Sequence, residues 1–308
     1  MQRSRRDFVR GSLGSAGLAA AASLRPVPSP AAEPMAKKAI PSTGEMIPVI
    51  GLGTARRYQS AANEAELAPL RATLAKFAEF GGVLIDTAPS YGEAERIVGQ
   101  LIARMEARDR LFLSTKVGAT GRAAGLEQAE NSFRLLRPHR IDLISVHNLQ
   151  DTSTQLRMLA ELKEALLVRY IGATTSNDRQ YRDFEALMRR ERLDFVQVDY
   201  ALDNRGAAGR LLPLARERQM AVMVNLPFGR GRLFEATRGR PLPEWAAEFD
   251  CRSWAQFFLK YIVSHDAVTC AIPGMARPEY VVDNLGAAFG RLPDAPLRKR
   301  MEALIDAL

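Results

Sequence analysis

Eight short apolar runs, separated by longer amphipathic segments, constrain the fold of this 308-residue chain more than any other feature. The runs lack regular polar alternation, as expected for parallel strands that are covered on both faces. They occupy residues 47–51, 83–86, 111–116, 141–147, 170–173, 195–200, 221–225 and 268–272. Strand and helix patterns that alternate in this order predict βα units around a parallel sheet.

Polar residues end several of these runs at a regular spacing. Thirty residues separate Asp86 from Lys116, 31 separate Lys116 from His147, and 27 separate His147 from Thr174. Each interval fits one strand, one helix and their loops. The sequence therefore predicts an α/β fold of the (β/α)8 TIM barrel type over residues 46–308. A doubly wound sheet is the alternative, but the GLGTAR segment at residues 51–56 lacks the third glycine of a dinucleotide fingerprint.

Residues 1–31 have a different character from the rest of the chain. The sequence SRRDFVR at residues 4–10 precedes a mildly apolar stretch at 11–24, which is too short to span a bilayer stably. This order resembles a twin-arginine export signal, with small residues for cleavage at 29–31. It predicts export machinery as a partner and a periplasmic location, with a disordered basic tail as the alternative. Residues 32–45 are then interpreted as a linker.

Composition limits the possible partners and cofactors. The formal net charge is +8, but residues 1–31 carry five arginines and one aspartate, so half of that charge lies there. No basic run is interleaved with aromatic residues, and nucleic-acid binding is not expected. Two cysteines and three histidines leave little material for a metal site, and none is expected. Cys270 lies in an apolar strand pattern, which favours a buried free thiol.

The carboxyl ends of barrel strands form the functional face of such a fold, and four reactive side chains fall there. Asp86, Lys116 and His147 end three consecutive runs, and Tyr91 follows in the short loop after Asp86. A lysine cation beside a tyrosine is expected to lower the pKa of the phenol, with Asp86 orienting the lysine. The tyrosine could then donate a proton to a developing alkoxide, while the histidine hydrogen-bonds the same oxygen.

The motifs DTAPSYG at residues 86–92, STK at 114–116 and SVHN at 145–148 together resemble those of the aldo-keto reductase family. The resemblance extends from about residue 47 to residue 307. It implies a (β/α)8 barrel that reduces aldehydes and ketones with a nicotinamide cofactor, usually NADPH. It also implies that Tyr91 is the general acid, Lys116 tunes it, Asp86 pairs with Lys116, and His147 orients the carbonyl.

Further segments resemble the family's cofactor site. A glycine-rich loop, PFGRGRL at residues 227–233, is similar to the loop that covers the pyrophosphate, and IPGMARPE at 272–279 is similar to the adenosine segment. The resemblance implies that cofactor contacts come from Gly53, Thr54, Thr174, Thr175, Gln197, Asn225, Gly229, Gly231, Leu233, Gly274, Arg277 and Asn284.

Three departures from the family pattern concern this cofactor site. Thr174 and Thr175 stand where the family commonly has Ser-Asn, and Asn225 stands where an aromatic ring often stacks on the nicotinamide. Arg277 is the one obvious cation of the adenosine segment. NADPH is therefore the expected cofactor, with NADH left open.

Two other functions remain possible from the sequence alone. The first is a cofactor-binding regulatory or sensory subunit with little turnover, and the second is a barrel isomerase that uses no cofactor. The four residues of the proposed tetrad favour the reductase. A periplasmic reductase further predicts that the cofactor is bound before export.

Overall fold

The computed structural model describes residues 34–308 with the exception of residue 62. The export signal and its cleavage site, predicted over residues 1–31, lie outside the described residues. Within the described part of the chain, no helix is both long enough and apolar enough to cross a membrane.

An eight-stranded parallel sheet forms the centre of the molecule. Its strands follow one another in chain order and comprise β3 (Leu52–Gly53), β4 (Leu84–Asp86), β5 (Phe112–Val117), β6 (Ile141–Val146), β7 (Val168–Thr174), β8 (Phe195–Asp199), β9 (Ala221–Asn225) and β10 (Cys270–Ala271). The backbone N–H of Gly51 donates to Ala271 O, and that of Gly53 donates to Pro273 O. Parallel bridges pair Ile50 with Ala271 and Gly53 with Gly274. They join the first strand to the last, so the sheet closes into the predicted (β/α)8 barrel.

Side chains alternate between two separate cores, which is why the apolar runs show no polar alternation. One cluster fills the barrel interior and contains Leu84, Phe112, Leu143, Tyr170, Phe195, Ala221, Met223, Cys270 and Ile272. Intervening strand residues such as Ile85, Leu113 and Ile144 pack outward against the helices. The inward positions further along the strands are polar and include Asp86, Lys116, Thr174, Gln197 and Asn225. Strand pairing therefore brings the predicted site residues to one end of the barrel.

A hairpin precedes the barrel in the segment that the sequence assigns to a linker. β1 (Lys37–Ala39) pairs antiparallel with β2 (Met46–Pro48). Ile40 and Ile47 are fully or almost fully buried and belong to the interior cluster. Lys38 donates three hydrogen bonds of 2.7–2.8 Å to carbonyls of residues 263, 265 and 268. Residues 37–45 are thus part of the folded barrel, and the predicted linker is wrong there.

Helices cover the outside of the sheet in the order that the amphipathic segments predict. They are α1 (Glu64–Glu79), α2 (Ala94–Ile102), α3 (Arg122–Leu136), α4 (Thr152–Glu164), α5 (Tyr181–Arg190), α6 (Gly206–Glu217), α7 (Arg232–Ala236), α8 (Trp254–Val263), α9 (Pro278–Gly286) and α10 (Ala295–Asp306). Several begin at side-chain caps. Asn63 accepts from Glu66 N, Ser253 from Gln256 N, and Asp294 from Leu297 N. Such caps satisfy amide groups that the helix itself leaves unpaired.

Candidate active site

A buried ion pair lies at the carboxyl ends of β4 and β5. The Lys116 ammonium donates to both carboxylate oxygens of Asp86, at 2.9 and 2.8 Å, and to Thr87 O at 2.8 Å. The hydroxyl of Ser114 donates to Asp86 Oδ1 at 2.8 Å. Burial alone would lower the pKa of Lys116, but the charges of Asp86 and Tyr91 raise it above the usual value. The lysine therefore remains a cation at the floor of the site.

Tyr91 lies over this pair, in the short loop that the DTAPSYG motif forms after β4. The Lys116 ammonium is 5.1 Å from the centroid of the Tyr91 ring. Burial raises the pKa of Tyr91 more than the neighbouring Lys116 lowers it, so the net direction is upward. Lys116 thus acts in the expected direction, but desolvation of the phenolate outweighs its effect. Tyr91 holds its proton at neutral pH.

His147 follows β6 directly and faces the tyrosine. The two ring centroids are 5.9 Å apart with the planes at 83°, and His147 Nδ1 is 3.4 Å from the hydroxyl oxygen of Ser90. Burial, followed by the positive charge of Lys116, lowers the pKa of His147 to about 4. The imidazole is neutral above that pH, so it can hydrogen-bond an uncharged carbonyl without adding a second cation to the pocket.

The loop after His147 has a constrained backbone. Asn148, Leu149 and Asp151 all adopt positive φ angles, between 44° and 59°. These conformations are uncommon for residues with side chains and persist where the surroundings hold them. The Thr174 hydroxyl accepts from Asn148 N at 3.1 Å. Thr174, predicted to contact the cofactor, thus uses its side chain to hold the loop that carries His147.

The β3 end of the site is shaped by a close backbone approach. A Cβ atom on Gly53 would lie 2.7 Å from Ile272 O, so only glycine fits where the barrel closes. Thr54 is fully buried, and its hydroxyl donates to Asp86 O at 3.0 Å. Gly53 is therefore buried where the first and last strands meet, and the Thr54 side chain is engaged with β4.

The β7–β9 side of the site contains polar atoms without partners. Thr175 donates to Gln180 Oε1 at 2.8 Å, so its hydroxyl is engaged within its own loop. Asn225 Nδ2 donates to Thr175 O at 3.0 Å. In contrast, Gln197 Nε2 and Asn225 Oδ1 are buried and have no hydrogen-bond partner in the part of the chain that the structure describes. Buried polar atoms are rarely left unpaired, which marks this place as one built for a polar ligand.

The glycine-rich loop after β9 is held by a carboxylate that the sequence analysis did not single out. Arg232 Nε and Nη2 lie 2.9 and 2.8 Å from Asp203 Oδ2. Gly229, with φ +55°, has no room for a side chain, since a Cβ would lie 2.3 Å from the same oxygen. Gly231 also has a positive φ, of +100°. The Leu233 side chain is buried in the outer core.

The predicted adenosine segment follows β10 and leads into α9. Arg277 precedes this helix, is mostly exposed, and has Glu279 Oε1 3.8 Å from its guanidinium. Asn284 is buried within α9. Gly274 faces the first βα loop, because a Cβ there would lie 3.4 Å from Arg57 Nε. Sequence reasoning missed Arg57 and Asp203, since neither lies in a motif and each is placed only by the folded chain.

The remaining candidates for special chemistry are accounted for structurally. Cys251 and Cys270 are free and buried, and burial raises the pKa of the Cys251 thiol to about 11. No group of three or more His, Cys, Asp or Glu side chains in the described ranges is placed to hold a metal ion.

This geometry defines a class of protein: a (β/α)8 barrel whose catalytic face combines a Tyr–Lys–Asp–His proton-handling site with unpaired amide groups on β8 and β9. The chain belongs to the aldo/keto reductase family, because the model of that family matches residues 49–304.

Individual relatives support the same assignment. The chain is 29% identical over 230 residues to the aldo-keto reductase YhdN of Bacillus subtilis, covering 68% of this chain and 66% of that protein. It is 24% identical over 278 residues to an NADH-specific methylglyoxal reductase of Escherichia coli, covering 72% and 84%. An aldo/keto reductase of Klebsiella pneumoniae, solved with NADP and acetate, has a TM-score of 0.72 and 28% identity, covering 85% and 93%.

Proposed function

We propose that this protein is an NADPH-dependent reductase of small aldehydes or ketones. The observation that carries the proposal is the buried Asp86–Lys116 pair beneath a protonated Tyr91 and a neutral His147. Family membership supports the reaction class, and the Klebsiella pneumoniae relative was solved with NADP. Nothing favours the regulatory or sensory alternative.

The proposed chemistry assigns each side chain one task. When bound, reduced nicotinamide supplies the hydride for the carbonyl carbon. His147 hydrogen-bonds the carbonyl oxygen and orients it. Tyr91 donates its hydroxyl proton to that oxygen as negative charge develops there. Lys116 stabilises the phenolate that remains, and Asp86 holds the lysine charged and in place.

The residues at the end of β8, in the glycine-rich loop and at the start of α9 fit a nicotinamide nucleotide. Gln197 Nε2 is buried without a hydrogen-bond partner among the described residues, which suits a carboxamide. Gly231, where nothing lies within 4 Å of an added Cβ, allows close approach of the loop backbone to a pyrophosphate, and Arg277 lies at the start of α9, where an anionic phosphate is favoured. We therefore assign NADPH ahead of NADH, with Arg277 as the residue that decides between them.

The test begins with titration of the mature chain with NADPH and NADH, followed by absorbance decay of the bound nucleotide with methylglyoxal, simple aldehydes and ketones. The proposal predicts tighter binding of NADPH and decay that depends on the carbonyl compound. In an Arg277→Ala variant the preference for NADPH should shrink, while affinity for NADH stays the same. Binding without decay on any carbonyl compound would favour the sensory alternative, and absence of binding would contradict the proposal.

We further propose that residues 1–31 direct export by the twin-arginine route and that the barrel is periplasmic. The support is the sequence SRRDFVR followed by a mildly apolar stretch. A route that exports folded proteins would also allow the nucleotide to be bound before export.

Cell fractionation tests the export proposal. Replacement of Arg5 and Arg6 by lysine should retain the unprocessed chain in the cytoplasm, while the parent chain is processed and found in the periplasm. Periplasmic protein isolated without nucleotide would contradict the idea that the cofactor is bound before export. Equal distribution of the two chains would contradict the signal itself.

A further inference from the structure

We propose that Asn225 accepts a hydrogen bond from the carboxamide NH2 of the nicotinamide, so that this chain recognises the ring by its polar edge. The inference rests on the proposed function, because it concerns the same nucleotide. It explains what the asparagine does at a position where family members often carry a stacking aromatic ring.

The orientation of the Asn225 side chain follows from one contact. Its Nδ2 group donates to Thr175 O at 3.0 Å. Rotation of the amide by 180° would place two oxygens against each other, so the observed orientation is the one that chemistry permits. The same contact leaves Oδ1 buried and without a partner among the described residues. Asn225 therefore presents an acceptor in a fixed direction.

Gln197 supplies the complementary group on the neighbouring strand. β8 and β9 are paired in parallel register, with Gln197 opposite Met223 and Asp199 opposite Asn225. Gln197 and Asn225 are thus inward positions of adjacent strands. Gln197 Nε2 is buried and has no hydrogen-bond partner among the described residues.

A carboxamide satisfies both orphaned atoms together. Its carbonyl oxygen can accept from Gln197 Nε2, and its NH2 group can donate to Asn225 Oδ1. Water could satisfy either atom alone, but a primary amide carries one acceptor and two donors in a single plane. An aromatic ring at position 225 would offer no acceptor for the NH2 group. The contact at Asn225 therefore distinguishes a carboxamide from a ketone of similar shape.

A nucleotide analogue isolates this contact. In the 3-acetylpyridine analogue of NADP+, a methyl group replaces the carboxamide NH2, while the carbonyl oxygen and the rest of the nucleotide are retained. We expect the parent protein to bind NADP+ about three- to tenfold more tightly than the analogue, as measured by calorimetry, because one hydrogen bond is lost. In Asn225→Leu the two dissociation constants should become equal within about twofold.

Two controls separate this role from a general defect. In Gln197→Leu both dinucleotides should bind more weakly, with their ratio preserved, because the carbonyl oxygen is common to them. Binding of 2′,5′-ADP, which has no nicotinamide, should be unchanged in both variants, and unchanged affinity also demonstrates an intact fold.

The possible failures are distinguishable. Equal affinity of the parent protein for NADP+ and the analogue would overturn the inference, as would discrimination that persists in Asn225→Leu. Either result would leave the proposed reductase function standing. Failure of the parent protein to bind NADP+ at all would overturn both.

Discussion

The Asp86–Lys116 pair and the amide side chains of Gln197 and Asn225 lie on two sides of the catalytic face and differ in how completely their polar groups are satisfied. On the β4–β5 side, Asp86 accepts from Lys116 and Ser114, and Lys116 also donates to the backbone. On the β8–β9 side, Gln197 and Asn225 keep buried amide atoms without partners. Both sides consist of inward strand residues of the same barrel, so the difference lies in the chemistry of the side chains.

The difference shows which part of the site the protein builds by itself and which part awaits a ligand. Internal partners hold the proton-handling groups rigidly, so their geometry needs no assistance from a substrate. Unpaired groups carry a desolvation cost that a matching ligand relieves, and this relief favours binding. Changes on the β4–β5 side should therefore affect stability and turnover, and changes on the β8–β9 side should affect nucleotide affinity.

The largest effect is expected from removal of the proton donor. Tyr91→Phe deletes one hydroxyl and should lower kcat by about 10²- to 10⁴-fold, the usual contribution of a general acid. Nucleotide affinity should remain close to that of the parent. Steady-state kinetics with a titration of NADPH measures both. A variant with parental kcat would show that Tyr91 is not the donor.

Breaking the buried ion pair should have the next largest effect. Asp86→Ala leaves the Lys116 ammonium buried without its carboxylate, which should lower the free energy of unfolding by about 3–5 kcal/mol. Asp183→Ala is a matched control, because Asp183 is mostly exposed in its contact with Arg182. Chemical denaturation should show a large loss for the first variant and little change for the second. Similar losses would contradict a special role for the Asp86–Lys116 pair.

A smaller effect is expected in the glycine-rich loop. Gly229→Ala introduces a Cβ against Asp203 at a residue with positive φ, and should cost about 1–3 kcal/mol of stability and weaken NADPH binding. Gly239→Ala isolates the backbone contribution, because Gly239 has φ +73° and no atom within 4 Å of the added Cβ. If the two variants behave alike, the contact with Asp203 does not restrict the loop.

A last prediction concerns the pH dependence of stability. Burial lowers the pKa of both His147 and His265 to about 4, below the usual 6.5. The unfolded chain therefore binds more protons between these values. The resulting contribution to stability is complete above pH 6.5 and is lost as the pH falls from 6.5 to about 4.

Two variants test this sign and separate the roles of the histidines. His147→Gln and His265→Gln should each reduce the loss of unfolding free energy over that range, as measured by denaturation at a series of pH values. His147→Gln should in addition impair turnover, while His265→Gln should not, because His265 packs against Tyr200 away from the tetrad. A pH slope that neither variant changes would contradict the lowered pKa values.

The fold was largely predictable from local patterns. Burial on both faces makes parallel strands continuously apolar, so seven of the eight predicted runs overlap a barrel strand, and the first run ends as the first barrel strand begins. The hairpin at residues 37–48 was missed because its two strands are only three residues long, and Ile40 and Ile47 gain their role only by filling the open end of the barrel.

The sequence by itself determined the repeat, the spacing of the strand ends and the identity of Asp86, Tyr91, Lys116 and His147, because residue type and periodicity are local properties. Only the tertiary structure decided how their charges balance. It raised the pKa of Tyr91 through burial, turned the Thr174 hydroxyl toward a loop, and buried Leu233 in the core. It also set Asp203 against Arg232 and left Gln197 Nε2 and Asn225 Oδ1 without a partner among the described residues. Desolvation and hydrogen-bond partners depend on residues far apart in the chain, and these meet only when the barrel closes.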